Sequence, residues 1–265
     1  GADTTLERRM RLANTEVVAV EDGTRAQALA ELRADPDVLW AAPNGVAHVT
    51  TNDPGWPSLY ALRNLGLSGK RIDADIDAEQ AWGVTRGDGV TVAVVDTGVQ
   101  ANHVDLAGRV DLTHAYDFVE LDTDPSDPHG HGTHVAGIVA ANRDNGVGVV
   151  GIAPEATIMP VRVLDADGYG DWADIIDGFE WAAANGADVV NASIGGDYDP
   201  WIASGFRQVF TAHPSTLFVI SAGNEGVSNE IGGSLPCYSD ETNVLCVGAS
   251  TNQDVRASYS NYGRT

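Results

Sequence analysis

The stretch that decides the fold is Val92-Ala93-Val94-Val95-Asp96-Thr97-Gly98, which closes an apolar run over residues 90–95. A strand that is apolar on both faces is typical of a parallel sheet covered by helices on both sides. The aspartate follows the last apolar residue directly, so the strand ends on a carboxylate. Functional groups of parallel sheets gather at this carboxyl end. The stretch therefore predicts a buried parallel strand with a candidate functional residue, Asp96, at its end.

The rest of the chain repeats the order strand, loop, helix, which is how parallel sheets are built. Right-handed crossovers between such strands produce a doubly wound α/β domain with a mostly parallel sheet. The predicted strands cover 90–95, 157–164, 189–191, 217–220 and 244–248, and the predicted helices cover 131–141, 171–185 and 201–212.

The first fifty residues form a separate predicted unit of α+β type. They predict a strand over 16–20, a helix over 24–34 and a second strand over 38–42. The turn-rich segment 49–58 makes a linker. Residues 1–50 carry eight acidic and five arginine side chains, so nearly all of the net charge of −23 belongs to the remainder. We therefore expect two domains, 1–49 and 50–265.

Composition excludes two classes of partner. A chain of 265 residues with a net charge of −23 repels phosphate backbones and anionic lipid heads. No apolar run is long enough to span a bilayer. We expect neither a nucleic-acid partner nor a membrane. The two cysteines, Cys237 and Cys246, are either one local disulfide, which would suit an oxidising compartment, or two buried thiols.

Polar residues also occupy the start of one predicted helix and the end of one further predicted strand. Three histidines and two glycines occur in His129-Gly130-His131-Gly132-Thr133-His134, which opens a predicted helix. The segment Ser221-Ala222-Gly223-Asn224 follows the strand predicted over 217–220. A carboxylate can orient an imidazole, the imidazole can take a proton from a hydroxyl, and an amide can donate to a developing oxyanion. Together these groups indicate an acyl-transfer site.

The residues of these three segments, and their order along the chain, resemble the motifs of the subtilisin-like serine proteases, the subtilase family. The resemblance implies that Asp96 orients the catalytic histidine, that this histidine is His131 and not His134 and acts as general base and acid, and that Asn224 serves the oxyanion hole. It implies a doubly wound catalytic domain, peptide-bond hydrolysis and polypeptide substrates. It also implies that the substrate lies in an extended groove, whose residues in this sequence are Gly168, Tyr169, Gly170, Trp172, Ser193, Ile194 and Gly195.

Residues 16–49 resemble the latter part of the inhibitory propeptide of such a protease. The resemblance implies a secreted, monomeric enzyme made as a zymogen, with its own propeptide as an intramolecular partner and a cleavage site between about Val46 and Asn52. The first strand of the family's propeptide is expected to be missing from this chain.

The family's nucleophilic serine lies in a Gly-Thr-Ser motif that begins a helix, and no serine of this chain has that context. Segment 260–265 resembles a stretch that precedes the motif. We expect the nucleophile beyond Thr265, and the 265-residue chain alone to be inactive. The alternative is a non-catalytic pseudoprotease or an inert fragment.

Calcium is the cofactor that the resemblance implies. Carboxylate, amide and carbonyl oxygens are the ligands that Ca²⁺ prefers, and the alternative is an empty, hydrogen-bonded loop. The expected calcium ligands are the side chains of Asp53, Asp105 and Asn145 and the carbonyls of Arg143, Val147 and Val149.

Two other groups of possible metal ligands are interpreted differently. The acidic run Asp122, Asp124 and Asp127 is interpreted as a solvated loop. The remote alternative for the whole site is a zinc metallohydrolase that uses His129, His131 and His134.

Overall fold

The computed structural model describes residues 4–9, 15–21, 24–42, 51–230, 234–237 and 240–263. The chain divides into two compact units, Gly1–Val49 and Thr50–Thr265. That the first unit is a propeptide and the second a catalytic domain stays a prediction at this point. The expected cleavage site between about Val46 and Asn52 falls mostly outside the described residues.

The first unit contains a two-stranded antiparallel sheet and one helix. Strand β1 (Thr4–Arg9) pairs with β2 (Glu16–Val20), and helix α1 covers Arg25–Ala34. Strand β1 was not predicted from the sequence, and the expected absence of the family's first propeptide strand stays a prediction. The sequence of β1, Thr-Thr-Leu-Glu-Arg-Arg, lacks the apolar alternation by which strands are predicted.

The strand predicted over 38–42 was also wrong. Leu39 is 96% exposed and Trp40 60% exposed, and the described backbone there forms no strand. The chain leaves α1 through a turn in which the backbone N–H of Asp37 donates to Oδ1 of Asp35 at 2.9 Å. Apolar residues alone cannot make a strand when no neighbouring strand supplies hydrogen-bond partners.

The second unit is built on a six-stranded sheet in which all the strand pairs are parallel. The strand order is β4-β5-β3-β6-β7-β8, which confirms the predicted α/β fold. The elements are α2 (Ala78–Ala81), β3 (Thr91–Asp96), β4 (Tyr116–Asp117), α3 (His131–Ala140), β5 (Thr157–Arg162), α4 (Trp172–Ala184), β6 (Val189–Ala192), α5 (Pro200–Ala212), β7 (Leu217–Ser221) and β8 (Val244–Val247), with short 3₁₀ turns at Trp56–Ser58, Leu67–Gly69 and Val104–Leu106.

Helices cover both faces of this sheet, as the apolar strands predicted. Ala93 and Val95 of β3 belong to the core cluster that also contains residues of α4 and α5. Val92 and Val94 belong to a second cluster, which contains residues of α3. Because successive side chains of a strand point to opposite faces, β3 is buried by both layers at once.

Strand β5 ends two residues earlier than predicted, for a reason that concerns the site. The backbone N–H groups of Val163 and Leu164 both turn to the carbonyl oxygen of Asp96, at 2.9 and 3.2 Å. Strand β4 was not predicted, since it is only two residues long. Its Asp117 accepts from the guanidinium of Arg162 at 2.7 Å, in a buried ion pair at the end of β5.

Cys237 and Cys246 are joined in a disulfide, which decides between the two alternatives left open by the sequence. Cys237 is fully buried. Within the described residues, no helix combines the length and the apolar character needed to cross a bilayer.

The aromatic centre of the core provides a test of the packing. Phe179 is fully buried, stacks on Phe218 with ring centroids 5.9 Å apart, and contacts Phe206 at 5.2 Å. We expect Phe179→Ala to lower the free energy of unfolding by about 3–5 kcal/mol, because it removes a large side chain and leaves a cavity. Urea unfolding followed by tryptophan fluorescence measures this loss.

The matched control is Trp201→Ala, since Trp201 is 84% exposed. It should change the free energy of unfolding by less than about 0.5 kcal/mol. A loss below about 1 kcal/mol for Phe179→Ala would contradict the close packing of this cluster.

Candidate active site

The site is organised around a bond between the end of β3 and the start of α3. Nδ1 of His131 lies 2.7 Å from Oδ1 of Asp96. An ionised carboxylate only accepts hydrogen bonds, so the ring donates its Nδ1 proton and keeps a lone pair on Nε2. The side chain of Asp96 is fully buried, whereas that of His131 is 39% exposed. The imidazole is therefore held by a buried carboxylate, while part of the ring is exposed to solvent.

Glycines on both sides of His131 allow this approach. Gly130, at the N-terminus of α3, has φ of +94°, a left-handed conformation that glycine adopts without strain. A Cβ atom on Gly132 would overlap the carbonyl oxygen of Gly98 and lie 3.2 Å from Oδ1 of Asp96. Gly132 therefore permits a close backbone approach, and the contact is with the loop that follows β3.

The environment of Asp96 makes it a strong partner for a cation. Burial raises the pKa of Asp96, and hydrogen bonds from His131 and from the backbone N–H of Thr97 act in the opposite direction. Its second oxygen, Oδ2, is buried without a hydrogen-bond partner among the described residues. Such a carboxylate stabilises a positive charge on the adjacent imidazole more than water would.

Asp127 holds the start of α3 in place, although the sequence suggested only a solvated loop. Its Oδ1 accepts from the backbone N–H groups of His129 (3.0 Å) and Gly130 (2.7 Å) and from Oγ1 of Thr97 (2.8 Å). Its Oδ2 accepts from the N–H and the hydroxyl of Thr133, at 2.9 and 2.6 Å. One carboxylate thus joins the first turn of α3 to the residue after Asp96.

Burial raises the pKa of Asp127, but the hydrogen bonds from Thr133, Gly130 and Thr97 outweigh burial, and the pKa is lowered. A negative charge at a helix N-terminus is also favoured by the helix dipole. The signal that could have identified Asp127 is its place four residues before the helix start, in front of a glycine that cannot cap the helix with its own side chain.

Asn224 and part of the predicted groove line one cavity of about 300 Å³. The cavity lies at the carboxyl ends of β6 and β7. It contains the predicted groove residues Ser193, Ile194 and Gly195, and two acidic residues, Asp197 and Glu225. The structure therefore brings together the amide and one of the two predicted groove segments.

The other predicted groove segment, Gly168, Tyr169 and Gly170, forms the turn between β5 and α4. Tyr169 is 76% exposed. A Cβ atom on Gly168 would lie 3.4 Å from Nε2 of His129, so this turn borders the histidine segment. Trp172, the first residue of α4, packs against Gly196 of the cavity, since a Cβ atom on Gly196 would lie 2.7 Å from the Trp172 ring.

The predicted calcium residues meet on one loop. Asp53 and Asp105 are each only 3% exposed. Asn145 joins them, since its backbone N–H donates to Asp53 at 3.1 Å and its Nδ2 to Asp105 at 2.8 Å. Val149 N–H donates to Oδ2 of Asp105 at 2.9 Å, and a Cβ atom on Gly148 would overlap that oxygen. Two buried carboxylates and an amide side chain are oxygen-bearing groups of the kind that a hard cation such as Ca²⁺ prefers.

The three histidines do not form a zinc centre. His131 uses Nδ1 for Asp96, the rings of His129 and His131 are 6.2 Å apart, and His134 is exposed. In the described part of the chain, no group of three or more His, Cys, Asp or Glu side chains is arranged to hold a metal ion.

Residues 87–265 match the model of the family described as "Subtilase family". The chain belongs to the subtilase family. It is 40% identical to thermitase from Thermoactinomyces vulgaris over 216 residues, which cover 81% of this chain and 70% of that protein. It is 41% identical to the thermophilic serine proteinase of Bacillus sp. (strain AK1) over 235 residues, which cover 88% of this chain but 54% of that protein.

Solved structures agree with this assignment. A protease from Pseudoalteromonas arctica PAMC 21717 superposes with a TM-score of 0.69 at 31% identity, covering 81% of this chain and 70% of that one. The crystal structure of a cold adapted subtilisin-like serine proteinase superposes with a TM-score of 0.59 at 34% identity. The match covers 68% of this chain and 62% of that proteinase chain. The resemblance noted in the sequence is confirmed at the level of the family and of the subtilisin-like fold.

Asp127 gives this subtilase a testable pH dependence. Because the pKa of Asp127 is lowered by folding, its charge stabilises the folded state above the ordinary value near 3.8, and this contribution is lost as the pH falls below that value. We expect Asp127→Asn to lower the Tm at neutral pH, and the difference from wild type to shrink as the pH falls from about 5 to about 3.

The measurement is thermal unfolding by circular dichroism across this pH range. The control is Asp88→Asn, since Asp88 is exposed and precedes the strand β3 and not a helix. Its Tm should stay close to that of wild type, because surface substitutions away from caps and buried contacts change stability little. A Tm difference for Asp127→Asn that is independent of pH would contradict a role for the charge of Asp127.

Proposed function

We propose that this chain is the larger part of a secreted subtilisin-like serine endopeptidase that hydrolyses peptide bonds through an Asp-His-Ser triad. The observation that carries the proposal is the buried Asp96 bonded to a half-exposed His131 at 2.7 Å, in a chain of the subtilase family. A carboxylate in this position holds the imidazole in the tautomer with a free Nε2 and stabilises the imidazolium.

In the proposed reaction, Nε2 of His131 takes the proton of a serine hydroxyl while the hydroxyl oxygen bonds to the peptide carbonyl carbon. The peptide C–N bond then breaks as His131 returns the proton to the leaving amine. A water molecule repeats both steps on the acyl-enzyme and releases the acid. No hydrogen bond joins a serine to His131 among the described residues, and we propose that the nucleophile follows Thr265.

Asn224 is the proposed oxyanion donor. Its exposed amide lines the cavity beside the groove residues, and an amide donor of this kind lowers the barrier by about 3 kcal/mol. The peptide would bind as an extended strand between 168–170 and 193–195, so that backbone hydrogen bonds supply most of the affinity.

The first unit is proposed to be part of an inhibitory propeptide that is removed by self-cleavage. The support is its separation as a compact unit, Gly1–Val49, with a small antiparallel sheet and one helix. Secretion is supported by the disulfide, which persists in oxidising compartments. A monomeric enzyme is proposed.

We propose that Asp53, Asp105, Asn145 and the carbonyls of Arg143, Val147 and Val149 hold a structural calcium ion. The ion would neutralise the two buried carboxylates and tie the N-terminal segment of the second unit to the loop after α3. It would supply stability and take no part in the chemical step.

The histidines allow a sharp test, made in the full-length protein with the residues that follow Thr265. We expect His131→Ala to lower kcat/KM for a peptide p-nitroanilide by about a million-fold, because the triad acts as a unit. His134→Ala, an exposed neighbour on the same helix, should stay within about threefold of wild type.

Labelling by a fluorophosphonate should follow the same order and should map to a serine beyond Thr265. Equal losses in two folded variants would remove the basis for choosing His131. Labelling of a serine within the 265 residues would overturn the assignment of the nucleophile, and a full-length protein that neither hydrolyses nor labels would favour a pseudoprotease.

Calcium binding is tested by thermal unfolding. A site occupied at about a hundred times its Kd adds about 2.7 kcal/mol to the stability of the folded state, so chelation by EGTA should lower the Tm by several degrees. Asp105→Asn should remove most of this dependence on calcium. Magnesium should not replace calcium, because it requires smaller, octahedral coordination. An unchanged Tm on chelation would support the hydrogen-bonded loop instead.

A further inference from the structure

The segment 222–227, which carries Asn224 and is called the oxyanion loop below, is clamped by one buried side chain from far along the chain. Asn261 is only 2% exposed and lies in the last described segment. We propose that Asn261 is a positioning residue that fixes the oxyanion loop and, through it, the amide of Asn224. This inference rests on the proposed function and adds a residue that the sequence analysis missed.

Every hydrogen-bonding position of the Asn261 carboxamide is used by the loop. Oδ1 accepts from the backbone N–H groups of Glu225 (3.1 Å) and Val227 (3.0 Å). Nδ2 donates to the carbonyl oxygen of Ala222 at 3.0 Å and to Oε2 of Glu225 at 2.7 Å. The backbone N–H of Asn261 donates to the carbonyl of Gly223 at 3.0 Å. The contacts lie on both sides of Asn224.

The loop needs such a clamp because it has left the sheet. Strand β7 ends at Ser221, and only Ala222 still donates to the neighbouring strand end, at Val247. Gly223 and Gly226 have φ of +101° and +71°, so the backbone between them follows neither a helix nor a strand. Its polar groups therefore depend on partners from elsewhere in the chain. Asn261 supplies several of them, and Nδ2 of Asn229 also donates to the carbonyl of Ala222 at 3.0 Å.

Asn261 is itself held by rigid neighbours. Residues 227–229 and 262 run beside each other, with Tyr262 N–H donating to Val227 at 3.1 Å and Asn229 N–H donating to Tyr262 at 2.7 Å. The hydroxyl of the fully buried Ser260 accepts from Ala249 N–H at 2.9 Å, in the segment after β8. The clamp therefore connects the oxyanion loop to the sheet edge and not to a free tail.

A positioning role differs from a merely structural one in a measurable way. If Asn261 acts through Asn224, its removal must cost turnover only while the Asn224 amide is present. Oxyanion donors act on the transition state, so the loss should fall on kcat and leave KM nearly unchanged. General loosening of the fold would lower turnover to the same extent with or without Asn224.

The experiment is a double-mutant cycle in the full-length, processed protein, with a tetrapeptide p-nitroanilide as the probe. Asn224→Ala should lower kcat by about a hundredfold or more. Asn261→Ala should lower kcat by about tenfold with KM within about threefold, since small misplacements of catalytic groups cost this much. In the Asn224→Ala background, adding Asn261→Ala should change kcat by less than about twofold.

Asn243→Ala is the matched control. Its Nδ2 lies 3.0–3.1 Å from three backbone carbonyl oxygens, those of Phe210, His213 and Thr216. These contacts lie at the amino ends of β7 and β8, whereas the cavity lies at the carboxyl ends of β6 and β7. It should lower the Tm while kcat stays within about twofold of wild type. Asn261→Ser is the second variant, because an Asp at this buried position would set a second carboxylate against Oε2 of Glu225. It keeps a polar side chain but is too short for the four carboxamide bonds, and it carries the same cycle if Asn261→Ala does not fold.

Equal losses of kcat from Asn261 substitution with and without Asn224 would overturn the positioning role and leave the proposed function intact. A wild-type kcat in the Asn261 variants would do the same. A wild-type kcat for Asn224→Ala would overturn both, because no oxyanion donor would then be left to position.

Discussion

The bond between Asp96 and His131 is the constraint on which the rest of the site depends. It requires a charged group at the end of a fully buried strand, and burial raises the pKa of that group. The free-energy cost of burying this charge is offset by its surroundings. The start of α3 and the glycines Gly98 and Gly132 lie close to the carboxylate, and the N–H of Thr97 donates to it. Asp127 then ties the helix to the strand end, so that the imidazole cannot turn away. Fixed geometry of this kind is what general-base catalysis needs.

The two halves of the site are supported by different means. The pair of Asp96 and His131 is held by contacts between the end of β3, the start of α3 and the turn before α3. The oxyanion loop is held by Asn261, from a segment beyond the last strand. A parallel sheet explains this difference, because its strand ends are left without partners on the ladder and must be completed by loops. In this structure the two supports are the part-buried Asp127 and the buried Asn261.

Acidic side chains recur at such clamps. Asp127 gathers five donors, and Asp53 and Asp105 are wrapped by the N–H groups of the loop after α3. Asp117 instead pairs with Arg162. The net charge of −23 is thus partly structural, since several of these carboxylates are buried and satisfied and do not face solvent.

The sequence by itself determined five of the six strands of the sheet and its flanking helices, because burial on both faces leaves a local pattern. Glycine-flanked polar motifs, together with the family resemblance, identified Asp96, His131 and Asn224 as candidates. It could not show that Asp127 and Asn261 are clamps, nor that Cys237 and Cys246 are bonded, since each is an ordinary polar or small residue whose partners are set by tertiary packing. The strand expected over 38–42 failed for the same reason: a strand exists only where another strand meets it. Only the tertiary structure decided these points, because hydrogen-bond partners distant in sequence leave no periodic signal.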